Sequence, residues 1–146
     1  VEDAARDVFR TLQGGDDPRL AQLDAFVAAN ELVEANVTGA LNASFQFYAG
    51  MAQGGALDLT EDEILTIIWQ SEAETRADTR EWVYGFLLMA YGPLDDDTLE
   101  RYTDFSASAQ GQVLNRALFA GFNRMYDGLS YDLGLALARD LSVRDL

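Results

Sequence analysis

The chain of 146 residues contains no cysteine, no histidine and no lysine, so all ten of its basic residues are arginine. Without cysteine it has no thiol nucleophile, no disulfide and no thiolate metal ligand. Without histidine it lacks the commonest general base and the commonest transition-metal ligand, and without lysine it lacks the amine that forms Schiff bases. We therefore expect no cofactor, no tightly bound transition metal and a role that does not depend on catalysis.

Positive charge is also scarce, because 25 acidic residues against 10 arginines give a net charge of −15. A nucleic-acid-binding surface needs a basic stripe that displaces counterions from phosphates. An anionic membrane would repel such a chain, and no uncharged apolar run approaches the ~18 residues of a membrane-spanning helix. These features predict no nucleic-acid partner and no membrane span.

Apolar residues are plentiful enough to form a core, since they make up 49% of the chain. A compact fold of this length removes roughly 70% of the surface of the unfolded chain from water. The sequence therefore predicts one domain, residues 1–146, that folds without disulfides or metal ions. It leaves the oligomeric state open.

Apolar residues recur at helical spacing, and no run alternates apolar and polar residues as a half-buried strand does. The first stripe extends from Val1 to Leu12 and ends before Gly14. The sequence thus predicts an all-α fold of about six helices without a sheet. Side chains that commonly cap helices predict the later helix starts near Asp17, Thr60, Asp78, Asp95 and Ser108.

Two of the predicted helices are long. The second continues towards Gly54 and is expected to bend near Asn30 or Gly39. The last keeps one face apolar for about seven turns. That apolar face consists of Leu114, Leu118, Phe122, Met125, Leu129, Leu133 and Leu137.

Acidic clusters at 16–17, 61–63 and 95–97 coincide with predicted helix starts. Carboxylates at these positions cap free backbone N–H groups and interact favourably with the helix dipole. None of the clusters has the alternating oxygen ligands, central glycine and closing glutamate of a calcium loop. The clusters therefore predict helix caps and no metal site.

Gly39, Gly85 and Gly121 lie inside predicted helices, where each costs about 1 kcal/mol relative to alanine. Small residues let another backbone approach closely, so these glycines predict tight helix crossings. A ligand pressed against bare backbone is the alternative interpretation.

Asn30 and Glu34 share the apolar face of the predicted second helix, so we expect both to be at least partly buried. A buried carboxylate is costly unless it is paired, and Arg116 or Arg124 of the last helix would supply the opposite charge. The pair would then be either a structural tie between helices or the polar end of a ligand pocket.

The polar segment 72–81 carries Arg76 and Arg80, which could form an exposed anion-binding edge. Glu72 and Arg76 also form a favourable pair four residues apart, so a solvated turn between helices is the alternative. The candidate ligand or partner contacts are accordingly Asn30, Glu34, Arg76 and Arg80.

Aromatic side chains could line an apolar pocket, although such residues more often form the core. The six candidates are Trp69, Trp82, Phe86, Phe119, Phe122 and Tyr126.

Three short phrases resemble an uncharacterised bacterial family, the domain-of-unknown-function 2059 group. Residues 102–112 read YTDFSASAQGQ, residues 31–36 read ELVEAN, and residues 114–119 read LNRALF. The resemblance implies a helical, exported, periplasmic protein with no established activity and no catalytic residues to carry over. Members usually have a longer precursor with a signal peptide, whereas this chain begins at Val1 without one, as a processed or trimmed chain would.

The leading functional hypothesis is a non-catalytic helical domain of an exported bacterial protein that binds a partner protein or a small apolar ligand. The alternative is a carboxylate-dependent hydrolase of the periplasm, because glycoside hydrolysis requires only two carboxyl groups at a set separation. A pocket that holds two such groups, one of them desolvated, would favour the hydrolase.

Overall fold

The computed structural model describes residues 2–144, with side chains from 3 to 143. This part of the chain forms seven α-helices and no strand, which confirms the all-α prediction. Val1, which the periodicity placed in the first helix, lies outside the described residues. The helices are α1 (Glu2–Leu12), α2 (Pro18–Ala29), α3 (Leu32–Gln53), α4 (Glu61–Gln70), α5 (Glu72–Tyr91), α6 (Asp96–Ala107) and α7 (Ala109–Arg144).

Four of the predicted helix starts are confirmed by their capping geometry. At Asp17, Thr60, Asp95 and Ser108 a side-chain oxygen accepts the backbone N–H three residues ahead, at 2.7–3.4 Å. Each bond satisfies one of the N–H groups that the first helical turn leaves without an intrahelical acceptor. Local side-chain chemistry therefore sets these four boundaries.

The predicted long second helix is two helices, which raises the number from six to seven in the described residues. Helix α2 ends at Ala29, and the chain turns at Asn30 and Glu31 before α3 begins. Glu31 has a φ of 50°, a left-handed conformation that stops a helix and usually requires glycine. The bend expected near Asn30 is confirmed as a complete break.

The helix start predicted near Asp78 is wrong, because α5 already begins at Glu72 and continues through this position. Three helices in the described chain, not two, therefore have 20 or more residues. The segment lacks apolar residues, which suggested a turn. Its polar side chains instead hold the helix in place, since Glu81 pairs with Arg10 of α1 and Arg76 pairs with Glu34 of α3.

The chain divides into two compact units. Unit 1 comprises Val1–Asn36 and Arg76–Leu118, and unit 2 comprises Val37–Thr75 and Phe119–Leu146. The single domain of residues 1–146 stays a prediction. The core of unit 1 consists of Phe9, Leu23, Phe26, Val27, Val83, Tyr84, Leu87 and Leu99.

In unit 2, α3 and α7 lie side by side in backbone contact. A Cβ added at Gly50 would meet the backbone oxygen of Tyr131 at 2.2 Å, and one at Gly134 would meet the oxygen of Phe47 at 2.1 Å. The tight crossing predicted at Gly39 is confirmed, because the side chain of Asn123 in α7 lies 2.7 Å from a Cβ added at that position.

The other two glycines give opposite results. A Cβ at Gly85, in unit 1, would lie 3.1 Å from the backbone nitrogen of Arg6, so a close crossing is confirmed there. The expectation for Gly121 is wrong, because no described atom outside the adjoining backbone of its own helix lies within 4 Å of a Cβ at that position.

Candidate functional site

Unit 1 contains a partly open cavity of about 240 Å³ between the end of α2, the middle of α6, the first two turns of α3 and α7, and the second half of α5. Its walls are mainly aromatic and aliphatic, with three amide side chains among them. The lining residues are Phe26, Asn30, Leu32, Asn36, Trp82, Val83, Phe86, Leu87, Tyr91, Tyr102 and Asn115.

Three aromatic rings of the wall contact one another. The ring of Phe26 lies 5.3 Å from that of Tyr91, edge to face, and 5.0 Å from that of Tyr102. The two tyrosine rings are 5.9 Å apart. Such edge-to-face and tilted pairs stabilise each other beyond the area they bury. This side of the cavity is therefore preformed, because its three rings support one another without a ligand.

A second aromatic pair comes from one face of α5. Trp82 and Phe86 are four residues apart, and their rings stack with centroids 5.9 Å apart. Both side chains remain more than a third exposed, although each belongs to a residue type that gains most from burial. Their exposed faces offer apolar surface to a molecule that enters the cavity.

The three amides are held by backbone carbonyls. The side-chain nitrogen of Asn30 donates to Phe26 O at 3.0 Å, and that of Asn36 donates to Leu32 O at 2.7 Å. The nitrogen of Asn115 donates to the backbone oxygen of Asn30 at 2.7 Å. Among the described residues no donor reaches the side-chain oxygens of these three amides, so the cavity wall carries acceptors whose orientation is fixed.

Burial, and after it the neighbouring phenol of Tyr102, raise the pKa of Tyr91 to about 12. The phenol is therefore neutral at physiological pH and cannot act as a base there. Together with the amides it gives the cavity a polar but uncharged character.

The buried position predicted for Asn30 is confirmed. Asn30 lines the cavity and its backbone oxygen also accepts a hydrogen bond from Asn115 of α7, so the structural tie and the pocket both stay open as interpretations. Only two of the six aromatic candidates, Trp82 and Phe86, line this cavity. The other four belong to unit 2, where one is half-buried and three are exposed: Phe119, Trp69, Phe122 and Tyr126.

Sequence reasoning missed most of the aromatic wall. Phe26, Tyr91 and Tyr102 come from three different helices, and helical spacing identifies only residues on one helix. The one signal available was the abundance of aromatic residues, 11% of the chain. It could not show which of them meet.

The remaining candidates, Glu34, Arg76 and Arg80, come together in a second and more open cleft of unit 1. This cleft has a volume of about 540 Å³ and lies between α2, the start of α3 and the first half of α5. The other residues that line it are Asp24, Val27, Ala28, Glu31, Val33 and Tyr84.

Glu34 is not buried, because 66% of its side chain is exposed, and its partner is Arg76 rather than Arg116 or Arg124. The bond to Arg76 holds the pKa of Glu34 below its usual value. The prediction failed because the break at Glu31 starts a new helix and turns Glu34 away from the face that Asn30 occupies. An exposed pair of this kind contributes at most about 1 kcal/mol.

Tyr84 anchors the floor of this second cleft. Its hydroxyl donates a hydrogen bond to the Asp24 carboxylate, and its ring stacks on Phe9 with centroids 4.7 Å apart. The guanidinium of Arg80 lies 4.6 Å from the centre of the Tyr84 ring, and no carboxylate of the described residues pairs with it. Of the two arginines in the predicted anion-binding edge, Arg76 is paired with Glu34 and Arg80 stacks on an aromatic ring.

The described side chains contain no group of three or more acidic residues that could hold a metal ion. None of the helices in residues 2–144 combines the length and the hydropathy that crossing a membrane requires. The chain matches no protein-family model, no curated protein and no solved structure. The resemblance to the bacterial family therefore stays a prediction, and the functional argument depends on the cavity itself.

Proposed function

We propose that unit 1 is a binding module for a small uncharged molecule with an aromatic or cyclic apolar body, held in the cavity of aromatic residues and amides. One observation carries the proposal: none of the eleven residues that line the cavity is charged. Charged residues make up 24% of the chain, so a surface of this size would ordinarily include two or three of them. The uncharged lining disfavours ions and favours apolar ligands.

The size of the cavity limits the ligand. A dry apolar cavity of about 150 Å³ binds benzene, so 240 Å³ suits a molecule with one or two fused rings. The faces of Trp82 and Phe86 would stack on such rings. The acceptor oxygens of Asn30, Asn36 and Asn115 favour a ligand that also carries an N–H or O–H donor, because a buried polar group needs a partner.

The carboxylate-dependent hydrolase receives less support from the second cleft. A general acid of that chemistry needs a carboxyl group whose pKa is raised by burial. Glu34 is exposed and its pKa is lowered by Arg76, which is the opposite direction. The cavity of unit 1 therefore favours binding over catalysis.

The proposal is tested with 1-naphthylamine, a bicyclic molecule that is uncharged at neutral pH and carries one amine donor. Replacing Trp69 by Phe leaves Trp82 as the sole tryptophan, whose emission reports occupancy of the cavity. We expect saturable quenching of Trp82, and weaker binding of naphthalene, which has the rings without the donor.

A matched pair of variants locates the site. Phe86→Asp places a charge in the cavity wall and should weaken binding of 1-naphthylamine at least tenfold, since an isolated charge resists burial. Phe105→Asp makes the same change at a phenylalanine outside the lining that is equally exposed, at 47%. The proposal would be refuted if the two variants bound 1-naphthylamine with equal affinity. It would also be refuted if 1-naphthylamine left the Trp82 emission of the Trp69→Phe protein unchanged.

We further propose that the protein belongs to the bacterial domain-of-unknown-function 2059 family and acts in the periplasm. The support is the resemblance of residues 31–36, 102–112 and 114–119. The complete gene is the test, because an upstream signal peptide would support export and a cytoplasmic fusion partner in the same reading frame would contradict it.

A further inference from the structure

The outward face of α7 in unit 2 is an apolar stripe, which we define as Phe122, Met125, Tyr126, Leu129, Leu133 and Leu137. Each of these side chains is between 39% and 62% exposed. Isolated exposed apolar residues are ordinary, but a contiguous set on one helix face marks an interaction surface.

The stripe lies on the side of α7 that faces away from α3. At about 100° per residue, Phe122, Leu129 and Leu133 fall within roughly 20° of a common line along the helix. Gly134 and Ala138 are buried on the opposite side, where α7 contacts the end of α3 and the residue that follows it. The apolar stripe is therefore a second apolar face in addition to the one that packs within unit 2.

The spacing of the apolar stripe suits a helix partner. The residues at 122, 126, 129, 133 and 136 are Phe, Tyr, Leu, Leu and Ala, with alternating steps of four and three. This is the heptad pattern of a helix that packs along a second helix. Between Phe122 and Leu137 the sector within about 60° of the line contains no charged residue. Asp140 lies on the same line one turn further and ends this uncharged face.

The area of the apolar stripe matches what a dimer needs. Large apolar side chains offer roughly 180 Å² each, so six that are about half exposed provide ~540 Å² per copy. Two copies would bury ~1,100 Å², which reaches the ~1,000 Å² expected of a specific interface.

We propose that the apolar stripe is a self-association surface and that it is covered by the same stripe of a second copy of this chain. An uncharged face offers nothing that would select a charged partner, whereas a face without charges can pack on itself across a two-fold axis. A lipid surface suits the stripe less well, because helices that lie on membranes carry arginine or lysine along their polar face. Beside the stripe and beyond its end, Arg124 and Arg139 are outnumbered by Asp127, Asp132 and Asp140.

The test is the mass of the full chain in solution, measured by sedimentation equilibrium over a range of micromolar concentrations. We expect twice the chain mass of 16.1 kDa. The dissociation constant of the dimer should fall as the salt concentration rises, because salt screens the repulsion between the net charges of −15 on the two copies. Leu133→Glu, at the centre of the stripe, should raise the dissociation constant of the dimer at least 100-fold, because two like charges would meet at the interface.

Leu65→Glu is the matched control, since Leu65 is an exposed leucine of α4 in the same unit and lies outside the stripe. It should leave the dimer intact. Circular dichroism melts check folding, and Leu129→Gln provides a second, uncharged variant that should also weaken the dimer. A parent protein that stays monomeric would overturn the proposal, and so would a dimer that Leu133→Glu and Leu65→Glu weaken equally. Monomers that float with phosphatidylcholine vesicles would assign the stripe to lipid instead and would also overturn it.

Discussion

Replacing Tyr84 by Phe removes a single hydroxyl from the core of unit 1 and should change how stability depends on pH. Tyr84 is 2% exposed, and its hydroxyl donates to the Asp24 carboxylate. Burial, and then this hydrogen bond, raise the pKa of Tyr84 to about 12, against a smaller opposing effect of the Arg80 charge. The ring of phenylalanine can keep the stack on Phe9, so the variant isolates the hydroxyl.

The sign follows from the direction of the shift. The native state favours the neutral phenol, so its contribution is complete below the unfolded pKa of about 10 and is lost as the pH rises through 12. The wild type should lose about 1.4 kcal/mol from this group by a pH of about 11. At neutral pH the Tyr84→Phe variant should be less stable by about 1 kcal/mol, the usual net value of one hydrogen bond.

The two effects together predict that the free energies of unfolding converge near pH 11 and cross above it. Urea denaturation at a series of pH values, followed by circular dichroism, measures both curves. Burial raises the pKa of Tyr91 to about 12 as well, but Tyr91 is present in both proteins and cancels from the difference. Tyr48→Phe, at a half-buried tyrosine of α3 whose hydroxyl has no hydrogen-bond partner within the described residues, controls for the loss of a hydroxyl. A stability difference between wild type and Tyr84→Phe that stays constant from neutral pH to pH 11 would refute the reasoning.

Two further predictions concern backbone geometry and are checked by thermal or urea denaturation. Glu31→Gly should stabilise the protein by about 1 kcal/mol, because glycine adopts a positive φ without strain; a loss of stability would mean that the Glu31 side chain contributes more than its strain costs. Gly50→Ala should destabilise by about 1–3 kcal/mol or more, since a methyl there would overlap the backbone of α7. Gly128→Ala, in open space on the same helix pair, should stabilise by up to ~1 kcal/mol. Equal effects at the two glycines would contradict the close contact.

The parts of the fold that could be predicted from sequence are those that depend on local chemistry. Each helix cap bonds to a backbone N–H three residues away, so donor and acceptor lie within one helical turn and a short stretch of sequence contains both. The four caps are Asp17, Thr60, Asp95 and Ser108. The start of α5 could not be found in this way. Its first turns are held by charged side chains that bond to other helices, and no local pattern distinguishes them from a solvated turn.

The same distinction applies to the candidate site. The burial of Asn30 was predicted correctly because the residue shares the apolar face of its helix, where a polar group must find a partner. The pairing of Glu34 with Arg76 depended on a left-handed residue at Glu31, a conformation that glutamate seldom adopts. A single dihedral angle thus redirected a side chain that periodicity alone had placed in the core.

The last helix shows why an apolar pattern does not by itself identify a core. Its periodic leucines and aromatic residues predicted a long helix with one apolar face, and α7 is indeed continuous from Ala109 to Arg144. In unit 2, however, the side that packs against α3 uses Gly134 and Ala138, small residues that a hydrophobic pattern hardly registers. The large residues of the apolar stripe face outwards. Removing apolar area from water yields the same free energy per unit area whether a neighbouring helix or a second chain covers it. The hydrophobic pattern is therefore the same for both kinds of face, and sedimentation of Leu133→Glu beside Leu65→Glu tests whether a second copy covers this one.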